Sequence, residues 1–353
     1  MSSERVGTLV IGGSQAGVSA GYFLKRAGAD FRIVDAGNEI GQVWRSRWDS
    51  LKLYTAAKHN NLPGMPFPGD SDHVPGKDEM ADYLVDYVRH FDLPLELEAE
   101  VDALTRTDGT YVATLGTREI VADHVVVATG PTGQPRTPHL AHELDPSITQ
   151  LHAAEYRNPE QLAEGPALVV GAGNSGAEIA IELAGAAEGT HPVWLAGRDV
   201  GTLPVKLAGI PYRILNKLLT TDTKAGRTMA ASSAGKGTPL VRLKPEDITE
   251  AGVRRTGPVE STAAGKPAVS DGSVLDPASV VWCTGYVRDY GWIKLPVFDE
   301  SGEPVHHRGV VTGEPGLYFL GLPFLHSFAS SLIMGVPKDA EYVVEQITGR
   351  RRR

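Results

Sequence analysis

Two glycine-rich segments of this chain have the residue types and the spacing that bind a dinucleotide. The first reads TLVIGGSQAG and contains Gly12, Gly13 and Gly17, with Asp35 about twenty residues further on. Glycines let the backbone approach a pyrophosphate, and a carboxylate at this distance accepts hydrogen bonds from an adenosine ribose. Ser14 replaces the middle glycine of the strict pattern, and its small side chain still lets the phosphates approach.

The second segment reads GAGNSG and contains Gly171, Gly173 and Gly176. Where the first segment is followed by an acid, this one is followed by Arg198. A guanidinium binds a 2′-phosphate through paired, charge-assisted hydrogen bonds, whereas a carboxylate repels it. The sequence therefore predicts NADPH rather than NADH at the second site. The alternative is that Arg198 is an ordinary surface arginine.

Each glycine segment lies between a buried strand and a helix, and this context makes the pattern specific. Short apolar runs predict the strands, and the intervening segments predict the helices. The predicted strand, helix and strand of the first unit cover 8–11, 16–27 and 31–34, and those of the second cover 167–170, 177–187 and 192–195. This order predicts an α/β fold with two Rossmann-like dinucleotide-binding domains.

Three further patterns complete the predicted architecture. The runs DHVVVATG and SVVWCTG predict buried strands that each end in a Thr-Gly pair. Segments 95–101, 110–115 and 119–121 alternate polar and apolar residues, which predicts a small antiparallel meander. The run GLYFLG at 316–321 predicts a last strand, followed by a helix over about 330–347.

Composition narrows the classes of function. The chain has 353 residues, a formal net charge of −9 and a single cysteine, Cys283. Its length predicts two domains. Its negative net charge argues against a nucleic-acid partner, and the basic run 350–353 is interpreted as a solvated tail. A single cysteine excludes a paired-thiol redox centre and a cysteine zinc site within the chain, and no metal is predicted. A chain without a possible internal disulfide is expected in the reducing cytoplasm. No apolar run is long enough to span a bilayer, so no transmembrane segment is expected.

Taken together, these motifs resemble the flavin-containing monooxygenase family and its bacterial relatives among FAD- and NAD(P)-dependent oxidoreductases. The resemblance covers nearly the whole chain. It implies that the first fingerprint binds FAD and the second binds NADPH. It rests on GGSQAG with Asp35, GQVWRSRWDSLKLYT, VVVATG, GAGNSGAE, Arg198, VWCTGY and LYFLGLPF.

The resemblance also implies which residues contact the cofactors. The implied FAD-site residues are Gly12, Gly13, Ser14, Gln15, Ala16, Gly17, Asp35, Gln42, Val43, Trp44, Val101, Thr129, Gly130 and Gly321. The implied NADPH-site residues are Gly171, Gly173, Asn174, Ser175, Gly176 and Arg198, with Thr284 and Gly285 at the matching strand end.

In this arrangement the NADPH domain is inserted in the FAD domain. The predicted segments are 1–158 and 280–353 for the FAD-binding domain and 159–279 for the NADPH-binding domain. Within the second domain, 200–247 is a predicted lid. Its segment 203–219 fits a lid, a dimer contact or a membrane-surface helix, and its three cations without a strong apolar face favour the first two. A dimer contact at this segment would make the protein a homodimer.

The implied activity is that of a NADPH-dependent flavoprotein monooxygenase. FAD reduced by NADPH reacts with O2 to a C4a-hydroperoxide, which oxygenates a soft nitrogen or sulfur nucleophile in a small organic substrate. The alternative is a flavin reductase or oxidase that passes electrons to a quinone or another small acceptor. Baeyer–Villiger chemistry is less favoured, because Tyr156 stands where that branch has a Trp-Pro pair, and a flavin-binding sensor with little turnover is a third alternative.

Catalytic residues are harder to assign from the sequence. Many family members carry an asparagine near the oxygen-reacting edge of the flavin, and Asn60 and Asn61 are the candidates for that position. Either residue also fits a loop turn. His326, which follows the LGLPF segment, is a candidate for proton handling, with packing or hydrogen bonding as the alternative.

Overall fold

The computed structural model describes residues 2–203, 209–233 and 238–349, and it has an α/β fold. In chain order the strands are β1 Ser2–Ile11, β2 Phe31–Val34, β3 Leu95–Glu96, β4 Ala103–Thr107, β5 Thr110–Leu115, β6 Arg118–Val127, β7 Gln134–Pro135, β8 Thr149–His152, β9 Ala167–Val170, β10 Val193–Ala196, β11 Arg254–Thr256, β12 Val259–Ala263, β13 Lys266–Val269, β14 Ser279–Trp282, β15 Tyr286–Val287, β16 His306–His307, β17 Val310–Val311 and β18 Leu317–Phe319. The helices are α1 Gln15–Ala27, α2 Gln42–Arg45, α3 Lys77–His90, α4 Asn174–Ala187, α5 Gly209–Leu218, α6 Lys224–Ser233, α7 Pro245–Glu250 and α8 Val336–Thr348. Short 3-10 turns cover Ala57–His59, His139–Glu143 and Pro159–Gln161.

The larger sheet has β1 at its centre, with β2 on one side and β6 on the other. All three strands are parallel, and Val10 lies in register with Ile33 and Val126. These side chains are fully buried, as expected for parallel strands that are covered on both faces. The helix α1 packs against α8 and α3 over this sheet. The sheet then continues through β18 on one side and β3 on the other.

The smaller sheet is wholly parallel, in the order β11-β10-β9-β14-β8. The chain thus forms two Rossmann-like units, which confirms the predicted fold class. The sheet takes in β8, which lies outside the predicted second domain of 159–279, and β14, which begins at the last residue of that range. We therefore propose domain boundaries near residues 149 and 282 rather than at the predicted positions.

The antiparallel meander is present, but one of its predicted strands is wrong. It consists of β4, β5 and the first half of β6, whereas 95–101 was expected to supply its first strand. Leu95 and Glu96 instead pair in parallel with β2. Glu98 then adopts a left-handed backbone with φ of 51°, and its N–H donates to the Gly37 carbonyl at 2.8 Å. That turn interrupts the alternating pattern, so the predicted strand ends after two residues.

The last helix begins later than the predicted 330–347. Residues between β18 and α8 form tight turns, in which the Ser330 hydroxyl accepts hydrogen bonds from the N–H groups of His326 and Ser327. The helix α8 begins at Val336, with Pro337 in its first turn, where proline has no hydrogen bond to lose. Ser330 therefore caps a turn instead of starting the helix.

The predicted lid is only partly described. Within 200–247, the helices α5 and α6 are described, while 204–208 and 234–237 lie outside the described residues, as does the predicted tail 350–353. Among the described helices, none combines the length and the apolar character that a membrane span requires.

The long loop between β2 and α3 is held in place by tyrosines of α3. The Tyr83 hydroxyl donates to the Met65 carbonyl at 2.6 Å and accepts the Leu62 N–H at 2.8 Å. The Tyr87 hydroxyl donates to the carbonyl of Pro63 at 2.7 Å. The helix α3 therefore both packs in the core and orders an irregular segment.

We expect Tyr83→Phe to lower the free energy of unfolding by about 1–3 kcal/mol, because it leaves a buried N–H and a half-buried carbonyl without partners. Denaturant unfolding measures the change. Tyr22→Phe is the matched control, since Tyr22 packs against Phe91 by its ring edge, and it should change the free energy by less than about 0.5 kcal/mol. Equal stabilities of the two variants would show that these hydrogen bonds contribute nothing.

Candidate functional site

The two glycine segments have the same geometry at the carboxyl ends of the central strands. Gly12 follows β1 with φ of 111°, and Gly171 follows β9 with φ of 112°. A Cβ atom on Gly12 would overlap the carbonyl of Ala128, and one on Gly171 would overlap the carbonyl of Cys283. Only glycine therefore fits either turn, which lies where a parallel sheet binds its ligand.

The third glycine of each segment lets the following helix approach the turn. A Cβ atom on Gly17 in α1 would overlap the Gly12 carbonyl, and one on Gly176 in α4 would overlap the Gly171 carbonyl. The N-termini of α1 and α4 thus lie directly over the strand ends. Each presents free backbone N–H groups and a positive dipole end to an anionic ligand.

A cavity of about 300 Å³, here called the narrow cavity, opens at the end of β1. The Asp35 carboxylate borders it and accepts the N–H groups of Gly13 at 2.6 Å and Gly37 at 2.8 Å. These bonds fix the carboxylate and leave further lone pairs for a ribose. The predicted residues that line this cavity are Gly12, Gly13, Ser14, Asp35, Gln42, Val43, Val101 and Thr129.

A second cavity of about 450 Å³, here called the central cavity, lies between the two glycine segments. It is lined from both fingerprints, from the long loop and from residues 331–334 before α8. The predicted residues that line it are Ser14, Gln15, Ala16, Val43, Trp44, Asn60, Thr129, Gly130, Asn174, Ser175 and Gly321. The structure thus brings both predicted cofactor sites to one space.

Some predicted residues line neither cavity. Gly17, Gly171 and Gly176 act through the close backbone contacts described above, and Gly173 precedes α4 as its N-cap. Arg198 is exposed beyond the end of β10. The Thr284 hydroxyl donates to the Arg136 carbonyl, and Gly285 accepts the Arg136 N–H at 3.0 Å, so this pair joins the chain crossing between the two sheets.

The catalytic candidates differ in position. Asn60 is buried and lines the central cavity, but its amide Nδ2 donates to the carbonyls of Thr55 and Ala56, and its Oδ1 accepts the Thr55 hydroxyl. Asn61 lines neither cavity, and its side chain closes a turn with Lys58 and Phe67. The Asn60 side chain therefore stabilises its own loop.

His326 is buried but lines neither cavity. Its Nδ1 lies 3.8 Å from the Asp222 carboxylate, and burial lowers the pKa of the imidazole to about 4. A neutral imidazole away from both cavities fits the packing alternative better than proton transfer at the flavin.

Several residues at the central cavity were missed in the sequence. Arg47 donates to the Tyr286 hydroxyl at 2.8 Å, and both line the cavity. Glu178 also lines it, one helical turn after Asn174. The i, i+4 spacing on α4 was the available signal, because residues so spaced share a helix face. Trp48 is buried there, and its indole Nε1–H has no acceptor among the described residues.

A second arginine lies near the predicted 2′-phosphate site. Arg255 on β11 donates to the carbonyls of Leu195 at 3.3 Å and Gly197 at 3.2 Å. Leu195 and Gly197 lie three residues and one residue before Arg198, so both arginines lie at the end of the paired strands β10 and β11. Sequence reasoning missed Arg255 because β11 is distant along the chain and pairs with β10 only in the folded sheet.

Two electrostatic features bear on possible chemistry. Burial raises the pKa of the Cys283 thiol to about 12, so this group stays protonated at neutral pH. Burial also raises the pKa of Glu178 to about 7, with Arg242 opposing the change. Among the described residues, no group of three or more His, Cys, Asp or Glu side chains has the arrangement of a metal site.

Comparison with known proteins supports a redox enzyme. The pyridine nucleotide-disulphide oxidoreductase family matches residues 9–198. A CzcO-like oxidoreductase of Geobacillus kaustophilus is 40% identical over 352 residues, which cover 97% of this chain and 98% of that protein. The chain belongs to this oxidoreductase family.

Two further relatives indicate the flavin monooxygenase branch of this family. A probable indole-3-pyruvate monooxygenase of Arabidopsis thaliana is 26% identical over 97% of this chain and 87% of that protein. The structure of a flavin-containing monooxygenase from Stenotrophomonas maltophilia is 27% identical, with a TM-score of 0.78 over 98% of this chain and 99% of that chain. The protein is an FAD- and NADPH-dependent oxidoreductase.

The residues present fit both cofactors. At the first fingerprint, the glycine turn leaves no room for a Cβ atom, and a fixed carboxylate borders a narrow cavity with the apolar walls Val34, Leu95 and Ala99. That combination suits an adenosine diphosphate. At the second fingerprint, the same glycine turn is followed by a strand end that carries Arg198 and Arg255, which suits an adenosine with a 2′-phosphate. The neighbouring Asp199 carboxylate accepts the Gly201 N–H at 2.8 Å and so closes its own turn.

We expect Arg198→Ala and Arg255→Ala each to weaken NADPH binding by about tenfold or more, because each removes a cation from the predicted 2′-phosphate site. The Kd for NADH should change little, since NADH lacks that phosphate. Arg254→Ala is the matched control, because neighbouring residues of a strand point to opposite faces. Fluorescence titration of both nucleotides checks this, and unchanged NADPH affinity in Arg198→Ala would make that residue an ordinary surface arginine.

Proposed function

We propose that the enzyme is a NADPH-dependent flavoprotein monooxygenase that transfers one oxygen atom of O2 to a soft nitrogen or sulfur nucleophile in a small organic substrate. The observation that carries this proposal is the central cavity, where residues of both fingerprints border one space of about 450 Å³. Such a volume is typical of small-molecule sites. A substrate in this space would lie beside both cofactors.

The bound FAD supplies hydride acceptance from NADPH and the activation of O2. The chain's own contribution is to orient the two rings and to exclude water. Trp44, Leu332 and Ile333 give the cavity apolar walls, which favour oxygen transfer over hydrolysis and peroxide loss. The indole Nε1–H of Trp48 is buried in the wall of this cavity and has no acceptor among the described residues, and we propose that it becomes the donor that Asn60 does not provide once the cofactor or the substrate is bound.

A dithiol relay, which the family name suggests, is excluded by the chain's composition. Cys283 is the only cysteine, and it lies behind the second glycine turn as a protonated thiol. Electrons therefore leave the flavin directly to a molecule in the central cavity. This supports an acceptor such as O2 together with an organic substrate.

One observation favours the alternative of a flavin oxidase or reductase. The amide of Asn60 is fully used by its own loop, so it donates no hydrogen bond to an oxygen species in the cavity. If no other donor replaces it, reduced flavin would lose its electrons as peroxide or pass them to a quinone. The fate of the electrons of NADPH separates the two functions.

We expect that, with a small thioether or a tertiary amine as substrate, consumption of NADPH matches formation of the sulfoxide or N-oxide. The product should carry one atom from 18O2, as measured by mass spectrometry. A ketone tested in parallel examines the less favoured Baeyer–Villiger reaction. Recovery of all electrons as hydrogen peroxide with every nucleophile would contradict oxygenation and favour the oxidase.

Trp48→Phe should raise the fraction of NADPH electrons lost as peroxide severalfold, because it removes the one buried donor described above while keeping an aromatic wall. FAD content, measured from the visible spectrum, should stay unchanged. Trp194→Phe, a half-buried position on β10 outside the cavity lining, is the control. If both variants couple as well as the wild type, Trp48 is only a packing residue.

A further inference from the structure

Glu178 is the only acidic residue among the described residues that line the central cavity. It projects from α4 on the same face as Asn174, two residues after the end of the second glycine segment. Only 9% of its side chain is exposed. Ionising a carboxyl in such a position costs free energy, because removal from water disfavours the charged form.

The single ion-pair partner described for Glu178 is Arg242, whose Nη2 lies 3.3 Å from Oε1. Arg242 is 29% exposed, so it stands between the buried carboxyl and solvent. Its segment is fixed to α4 through Asn174, whose Nδ2 donates to the Pro239 carbonyl at 3.0 Å and whose Oδ1 accepts the Val241 N–H at 2.9 Å. The pair therefore forms a fixed connection between cavity and surface.

The other groups that face Glu178 come from the long loop. The Tyr54 hydroxyl interacts electrostatically with Glu178, Arg242 and Arg47. Lys52 lines the same cavity. Arg242 lowers the cost of ionising the Glu178 carboxyl, whereas burial raises it, and the balance leaves both protonation states accessible near neutral pH.

We propose that Glu178 transfers the proton that each turnover takes up, from solvent at Arg242 into the central cavity. Oxygenation consumes NADPH, O2, one proton and the substrate, and it yields NADP⁺, water and the oxygenated product. The carboxyl O–H gives its proton to the oxygen atom that leaves as water, and the resulting carboxylate regains a proton from solvent.

This inference rests on the proposed function only for the identity of the proton acceptor. If the enzyme is an oxidase, NADPH, O2 and one proton give NADP⁺ and hydrogen peroxide, so one proton still enters the cavity in each turnover. The proton route and the oxygen transfer therefore have separate tests.

The decisive experiment titrates Glu178 directly in the FAD-loaded enzyme by infrared difference spectroscopy, without turnover. We expect the carbonyl band of a protonated carboxyl to disappear with a midpoint near neutral pH and to be absent from Glu178→Gln. Glu182→Gln is the matched control, because Glu182 lies one turn further along α4, accepts the Tyr156 hydroxyl at 2.7 Å and does not line the cavity. That variant should keep the band.

The Arg242→Gln variant tests the direction in which the titration midpoint of Glu178 shifts. Arg242 lowers the pKa of Glu178, so its removal should raise the midpoint by about one pH unit. In stopped-flow mixing of NADPH with oxygenated enzyme, an indicator dye should report proton uptake that is about a hundredfold slower in Glu178→Gln and unchanged in Glu182→Gln.

Two results would overturn the proposal. The first is a Glu178→Gln enzyme that takes up protons at the wild-type rate. The second is a Glu178→Gln enzyme that loses only its affinity for cationic amines, since the carboxylate would then bind the substrate's ammonium group instead of transferring a proton. In either case coupled oxygenation would leave the proposed function intact. Loss of fast proton uptake in an enzyme that forms only peroxide would support the proton route and contradict the oxygenase.

Discussion

The close approach of a helix N-terminus to the end of a central strand is the constraint on which the rest of the structure depends. It occurs twice, at Gly12 with Gly17 and at Gly171 with Gly176, and in each case a single Cβ atom would separate helix and strand. The contact aims backbone N–H groups at a pyrophosphate. Every other part of the molecule either carries these two turns or closes the space between them.

The relative position of the two turns depends on segments with little regular structure. The chain leaves the larger sheet, enters the smaller one through β8 and returns after β14, so both turns border the central cavity. The long loop closes this cavity and is ordered by hydroxyl groups of α3. The loop is irregular and yet fixed, which is the property that a cofactor site requires.

The charge distribution separates this protein from the disulphide reductases of its wider family. Its only thiol is half-buried and protonated, while the central cavity contains cations and one carboxyl whose pKa lies near neutral pH. Such an environment suits reactions in which a hydride and a proton arrive separately. The fold provides the two nucleotide sites, and the contents of the cavity decide which acceptor takes the electrons.

The sequence alone determined the features that depend on neighbours along the chain: the strands, the glycine turns, the Asp35 and Arg198 positions and the absence of a second thiol. Tertiary structure decided what depends on distant segments. The alternation of polar and apolar residues indicated that 95–101 is a strand but could not indicate its partner strand. In the structure this segment pairs with β2, and the strand ends after Leu95 and Glu96. Burial of Glu178 required the segment around Arg242, and the position of Arg255 required pairing of β11 with β10. Local periodicity predicts elements, whereas contacts between residues far apart in sequence decide which side chains share a site.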